Sequence, residues 1–476
     1  MAGIGKFFGG IALAAASLAA ACADTSGDPT GSDDTAKVER LATLSPATHG
    51  KFLHISDIHF DPFHNDKHLV VQDLPVDQWE QHFDGSASPS SGRHNDSNFA
   101  LMKSALTEAA KTPGYDFVLY TGDYLSHDFR EHAEAKRWVR HPVSKGVKDP
   151  IAFAAKTVEF VNLMIEQAFP GKPIVSALGN NDAGCGDYNL RVGGEFLKDI
   201  GPEMPTLPQP AKKDFVNSGF YTIDHPTVAG TEFLVLGTFW SHAYPDIGRG
   251  CGMPSDNPGD AQKTWLSNQL STGSGNAILL MHIPPGIDGY GGTAQWQSGF
   301  QTAFEAILSK SKRPVLGAFA GHTHMNEIRV FSNSSGPYLS VRVAPSVTTY
   351  NGNAPSFTVA DYDTATGAMT DYQVYTLRYD SKSGTDAWQA EAKYSASYGA
   401  PDFSPAEVQK IANNLQLTND STGMRTIYRT QYSGKGQEGA RCNWQNAVCA
   451  VSFTDPVKFG QCVSRIEKVH PVPGNC

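Results

Sequence analysis

Five short segments of this chain carry residue types that bind metal ions: SDIHFD at 56–61, GDYLSHD at 122–128, GNND at 179–182, HIPPG at 282–286 and GHTH at 321–324. Together they offer Asp57, His59, Asp123, Asn180, His282, His322 and His324. Such a mixture of carboxylate, imidazole and amide suits two divalent first-row cations, because imidazole binds zinc, manganese or iron and one carboxylate can bridge two ions. Glycines before Asp123, Asn180 and His322 let the backbone turn sharply there. The single residue inside Asp57-x-His59 and His322-x-His324 lets each pair point its side chains to one side. Taken alone, a GD or GN pair after a strand is usually a turn, and a lone histidine is usually a hydrogen-bonded core or surface residue. Five clusters of ligand types, each at the end of an apolar run, are not explained that way.

Those runs must be strands for the clusters to meet. KFLHI, YDFVLYT, PIVSAL, TEFLVLGTFW, NAILLM and VLGAFA read as strands, each closing on a polar cluster. Between them NFALMKSALTEAAK, IAFAAKTVEFVNLMIEQAF, AQKTWLSNQL and GFQTAFEAILSK show helical apolar spacing. The alternation predicts an α/β fold with largely parallel strands, in which sites form beyond the carboxyl ends of strands. After about Pro345 the segment PSFTVADYDTATGAMTDYQVYTL reads as a β-hairpin, and from Ser381 a helical, cysteine-bearing tail is expected. DGSASPSSGRHNDSN reads as a low-complexity loop over the rim of the site. The 476 residues, with a formal net charge of −10 and no basic block, argue against a nucleic-acid-binding face.

The N-terminus, MAGIGKFFGGIALAAASLAAACADTSGD, has the pattern of an export signal, and LAAAC resembles a lipoprotein cleavage box in which Cys22 would carry the lipid anchor. Setting Cys22 aside leaves six of the seven cysteines, a number that suits disulfides in an oxidising compartment. Spacing favours Cys442 with Cys449 and Cys462 with Cys476, leaving Cys185 for Cys251. Residues 1–22 are thus expected as signal, 23–48 as flexible linker, 49–380 as catalytic domain and 381–476 as a helical, disulfide-bearing subdomain.

The ordered set of motifs resembles the calcineurin-like metallophosphoesterases, and within them the acid sphingomyelinase-like branch. The histidine in GDYLSHD, the HIPPG form of the fourth cluster, PGDAQKTWLSNQL and the cysteine-bearing tail carry the finer resemblance. It implies a two-sheet β-sandwich flanked by helices, the metallo-dependent phosphatase fold, with a small helical C-terminal region. It also implies a two-metal centre. Asp57, His59 and His324 hold one ion, Asn180, His282 and His322 the other, and Asp123 bridges them.

The family usually has a histidine where this chain has Asn181, which can hydrogen-bond a phosphate oxygen but cannot donate a proton as an imidazolium does. The resemblance then makes His127 the remaining candidate for protonating the leaving group, since its position in GDYLSHD matches a histidine that this branch uses near the leaving group. The activity implied is hydrolysis of a phosphodiester, a small molecule or a lipid headgroup, by a hydroxide between two divalent ions. Zinc is expected first, with manganese or iron as alternatives. A nucleotide pyrophosphatase, polyphosphatase or phosphomonoesterase would use the same ligands, and a non-catalytic metal-binding surface lipoprotein is the reading outside enzymology. The loops SSGRHNDSN, FWSHAYPD and GIDGYGGTAQW are the candidate walls, with Trp240, Tyr244, Tyr290 and Trp296 as aromatics that either line a substrate or simply pack. A monomer, periplasmic, surface-anchored or secreted, is expected.

Overall fold

A computed structural model describes residues 49–83, 94–137, 146–204, 207–244, 258–380, 385–434 and 444–471. The expected signal, Cys22 and the linker lie outside the described residues, as do Cys251, Cys442 and Cys476.

Among the described residues the strands are β1 (His49–Ile55), β2 (Phe117–Tyr120), β3 (Ile174–Ser176), β4 (Tyr221–Asp224), β5 (Thr231–Val235), β6 (Asn276–Leu280), β7 (Val315–Ala320), β8 (Glu327–Asn333), β9 (Gly336–Val343), β10 (Ser356–Asp363), β11 (Met369–Asp380) and β12 (Thr385–Ala390). They form two six-stranded sheets, ordered β12-β11-β10-β1-β2-β3 and β4-β5-β6-β7-β9-β8. β1, β2 and β3 run parallel, as do β5, β6, β7 and β9, while the outer strands are antiparallel. Pairing in register brings Ile55, Tyr120 and Ser176 to one level in the first sheet, and Val235, Leu280 and Phe319 to one level in the second. Every ligand-bearing segment leaves its strand just beyond that level.

The inner faces of the sheets meet through Phe52, whose ring stacks on Phe117 and meets Phe319 edge-on at 5.3 Å, and through Phe117 against Phe233. Each such buried side chain contributes about 1.5–3 kcal/mol. The helices Pro258–Thr272 and Ser298–Ser309 set Leu266, Leu270 and Phe304 against Leu234 and Leu279 on the second sheet's other face. The helices Phe99–Ala110 and Pro150–Ala168 begin where Asn98 and Asp149 accept from their first-turn amides. Pro150 adds a fixed φ at the start of the second.

The segment after Ser381 departs from expectation at first: residues 385–390 form β12 on the sheet edge, paired to β11, before helices take over at Tyr394. β8 and β9 form a hairpin with no counterpart in the sequence reading. The disulfide pairing is corrected too. Cys449 is bonded to Cys462 across 5.9 Å between Cα atoms, so neither Cys442–Cys449 nor Cys462–Cys476 forms. Cys449 closes the helix Trp444–Ala450, and the turn into Pro456–Glu467 folds Cys462 back onto it. Proximity in space thus overrides the shorter sequence spacing. Cys185 is disulfide-bonded, and its expected partner Cys251 lies outside the described residues.

Candidate active site

All seven candidate ligands converge. His59 Nε2 lies 3.1 Å from His324 Nε2, 3.7 Å from Asp57 Oδ1 and 3.3 Å from Asp123 Oδ2. On the other side His282 Nε2 lies 3.0 Å from Asn180 Oδ1 and 3.0 Å from Asp123 Oδ2, with the His322 ring 5.1 Å from that of His282. Asp123 therefore stands between two histidine groups. Donors sharing an ion at about 2.0–2.3 Å are about 3–4 Å apart, which is the spacing here. The tautomers fit as well. His59 Nδ1 is bonded to Leu125 O at 2.9 Å and His282 Nδ1 to Thr121 O at 2.6 Å, leaving each Nε2 lone pair to face the site. Buried carboxylates show the same demand for positive charge: burial alone would push His59 and His282 down, yet Asp123 and Asp57 hold them at about 10 and about 9.

The backbone at these positions is costly. Asp57, His59, Asp123, His322 and His324 all have φ between 46° and 74°, in the left-handed region that non-glycine residues avoid. Asp182 is one restraint. Its carboxylate, fully buried, accepts from the backbone amides of Asp123, Tyr124, Leu125 and Gly179 at 2.7–3.1 Å, tying the β2 and β3 loops together. Asp182→Ala leaves those amides without an acceptor and is expected to lower the unfolding free energy by about 3–5 kcal/mol, read by urea denaturation. A loss below about 1 kcal/mol would refute this role.

His127 stands at the edge of the ligand set. Its Nδ1 meets Asp96 Oδ1 at 2.8 Å and its backbone amide donates to Asp96 Oδ2. Its ring stacks on His59 at 4.1 Å and on Tyr350 at 3.7 Å, so it is held between the two. Burial and a protonated His59 push the imidazole down, and Asp96 works against both. Asn181 lies beside Asp123: its backbone amide donates to Oδ1 and its side-chain amide to Oδ2, both at 2.9 Å. One of its two amide hydrogens is thus engaged with the carboxylate.

The cleft over these residues measures about 270 Å³ and is lined by Asp123, His127, Asn180, Asn181, His322 and His324 below, with Asp187, Tyr188, Asp288, Tyr290, Gln295 and Asn351 above. GIDGYGGTAQW is a wall, as the sequence suggested, and SSGRHNDSN supplies Asp96. FWSHAYPD stands behind: Trp240, Tyr244 and Trp296 are buried, with Trp240 and Trp296 packed together at 5.0 Å, and only Tyr290 of the four flagged aromatics reaches the cleft. Sequence reasoning missed Asp96, Asp182, Asp187 and Tyr350. Asp96 and Asp182 lie inside quoted motifs, but their roles depend on partners 31 and 57 to 59 residues away.

The calcineurin-like phosphoesterase family model matches residues 50–326. The chain belongs to the calcineurin-like phosphoesterases. Among curated relatives, an acid sphingomyelinase-like phosphodiesterase 3b of Homo sapiens is 26% identical over 87% of this chain and 90% of its own length. A sphingomyelin phosphodiesterase A of Dictyostelium discoideum is 24% identical over 87% and 68%. A cyclic GMP-AMP phosphodiesterase of Rattus norvegicus is 24% identical over 87% and 92%. This calcineurin-like phosphoesterase is accordingly a metal-dependent hydrolase of phosphate esters, with a donor set in place for a dimetal centre.

Proposed function

We propose that the chain is an exported phosphodiesterase of the acid sphingomyelinase-like type, acting on a diester with one phosphate and an alcohol leaving group. Asp57, His59 and His324 are proposed to hold one ion and Asn180, His282 and His322 the other, with Asp123 shared. Four imidazoles beside two carboxylates favour zinc, with manganese or iron as alternatives. When bound, two such cations supply an activated water and neutralise charge building on the phosphoryl oxygens.

The observation that carries the diesterase reading is His127. Asp96 fixes its Nδ1, so its Nε2 is the nitrogen left to protonate a departing alkoxide, a need that is acute for an alcohol and slight for a stabilised anion. Asn181 steadies Asp123 and offers a second hydrogen bond to a phosphoryl oxygen. The upper wall favours one phosphate over several: Asp187 and Asp288 add carboxylates there, and Asp187 Oδ1 is buried without a partner among the described residues. Burial pushes Asp187 up to about 7 and raises Asp288 as well, so the wall offers acceptors with partial negative charge, which disfavours a second phosphate and suits a leaving alcohol that bears a hydrogen-bond donor. Export rests on the N-terminal signal, with Cys22 as the proposed anchor. The Cys449–Cys462 disulfide supports an oxidising compartment.

A substrate panel tests this. With the native metal retained, kcat/KM for bis-nitrophenyl phosphate and for sphingomyelin is expected to exceed that for ATP or polyphosphate by at least about tenfold. Preference for polyphosphate would overturn the diesterase reading.

A further inference from the structure

Beneath the ligand set runs a buried polar chain that none of the proposed chemistry uses. His54, on β1, places Nε2 3.1 Å from Thr121 Oγ1. The Thr121 hydroxyl donates to Ser56 Oγ at 2.7 Å, and the Ser56 hydroxyl donates to Asp57 Oδ2. His54, Thr121 and Ser56 are all fully buried. Each hydroxyl has one hydrogen. With Ser56 donating to the carboxylate and Thr121 donating to Ser56, His54 must supply its Nε2–H to Thr121, so every donor points toward Asp57. The opposite oxygen, Asp57 Oδ1, then faces His324, His59 and His282 Nε2 at 3.5, 3.7 and 4.0 Å. The chain leaves no slack: a Cβ at Gly321 would lie 2.0 Å from Ser56 Oγ and 2.5 Å from Asp57 Oδ2. The glycine before His322 is therefore needed for close packing, its own φ lying outside the left-handed region.

We propose that Ser56, Thr121 and His54 are positioning residues that aim Asp57 Oδ1 into the centre and thereby set the affinity of one ion of the pair. This rests on the ligand assignment proposed above. Thr121 has a second task through its backbone, since its carbonyl accepts from His282 Nδ1. Substituting its side chain spares that contact, so the two ions are predicted to respond unequally. Removing an outer hydrogen bond to a metal ligand weakens binding by about 10- to 100-fold.

The test uses the full chain, stripped with a chelator and titrated with zinc by calorimetry, with ion content counted by mass spectrometry. Wild type is expected to bind two ions. In Ser56→Ala, which removes the hydroxyl that donates to Asp57 Oδ2, one ion should bind about 10- to 100-fold more weakly while the other stays within about threefold, with the melting temperature of the metal-free protein nearly unchanged. Thr121→Val, one bond further out, should shift the same ion in the same direction by a smaller factor and serves if Ser56→Ala does not fold, the His322 amide keeping its bonds to Asp57 in both variants. Thr157→Val is the control: its buried hydroxyl donates to Phe153 O within a helix, and both affinities should stay as in wild type. Two unshifted affinities in both variants overturn the positioning role while leaving the dimetal reading intact. A wild type that cannot bind a pair of ions overturns both.

Discussion

Asp123→Asn is expected to lower kcat/KM on a phosphodiester by about 10³- to 10⁵-fold, the equivalent of about 4–7 kcal/mol at the transition state, and to leave fewer than two ions per chain. The substitution is nearly isosteric, so the fold should survive it. The carbonyl oxygen can still accept from the Asn181 amide, which donates to Oδ1 at 2.9 Å. What is lost is the charge. Asp123 Oδ2 lies 3.0 Å from His282 and 3.3 Å from His59, nearer to both histidine groups than Asp57 Oδ1 at 3.5 to 4.0 Å, and the amide nitrogen that replaces it there cannot bridge cations. Mass spectrometric metal counting and initial rates on the same preparation check both halves. A variant that keeps two ions and falls within about tenfold of wild type would remove Asp123 from the bridging position.

How much of this was legible in sequence follows from range. The strand ends were readable because apolar runs closing on Gly-Asp, Gly-Asn or Gly-His announce themselves within a few residues, and parallel strands carry such ends to one rim. β10 and β11 were legible for the same reason, through the turn residues between them. β12 was not: TDAWQA is exposed or half-buried along its length and has little apolar signature, so its pairing with β11 decides its state. The Cys449–Cys462 bond was hidden because it depends on how two helices fold back. The left-handed φ at Asp57, His59 and His324 was hidden as well, since no glycine precedes those three positions. Tyr350 gives no local sign that it will stack on a histidine more than two hundred residues earlier in the chain. Conversely, Trp240 and Trp296 looked like substrate contacts by position and are core, because the loop bearing Trp240 packs behind the wall instead of forming it.

His127→Ala should separate leaving groups. Hydrolysis of a diester with an alkyl alcohol is expected to slow by about 10²- to 10⁴-fold, while a nitrophenyl diester, whose anion departs without a proton, should slow by less than about tenfold. The geometry explains why this histidine is placed for the task. Asp96 binds Nδ1 and the backbone amide of the same residue, and the rings of His59 and Tyr350 lie nearly parallel to it, at 9° and 12°, so rotation about χ2 is blocked on both faces. Nε2 can only face the cleft. Asp96→Asn keeps an acceptor at Nδ1 but removes the charge that favours the imidazolium, so it should reproduce part of the loss on the alkyl substrate and leave the nitrophenyl rate nearly intact. Tyr350→Ala opens one face and should do likewise, with Tyr350→Phe retaining the stack and the wild-type rate. Metal content should remain unchanged in all four variants, which distinguishes loss of a proton donor from damage to the ion pair. Equal losses on both substrates would show that His127 serves the metal centre or the fold and that the leaving oxygen takes its proton from elsewhere.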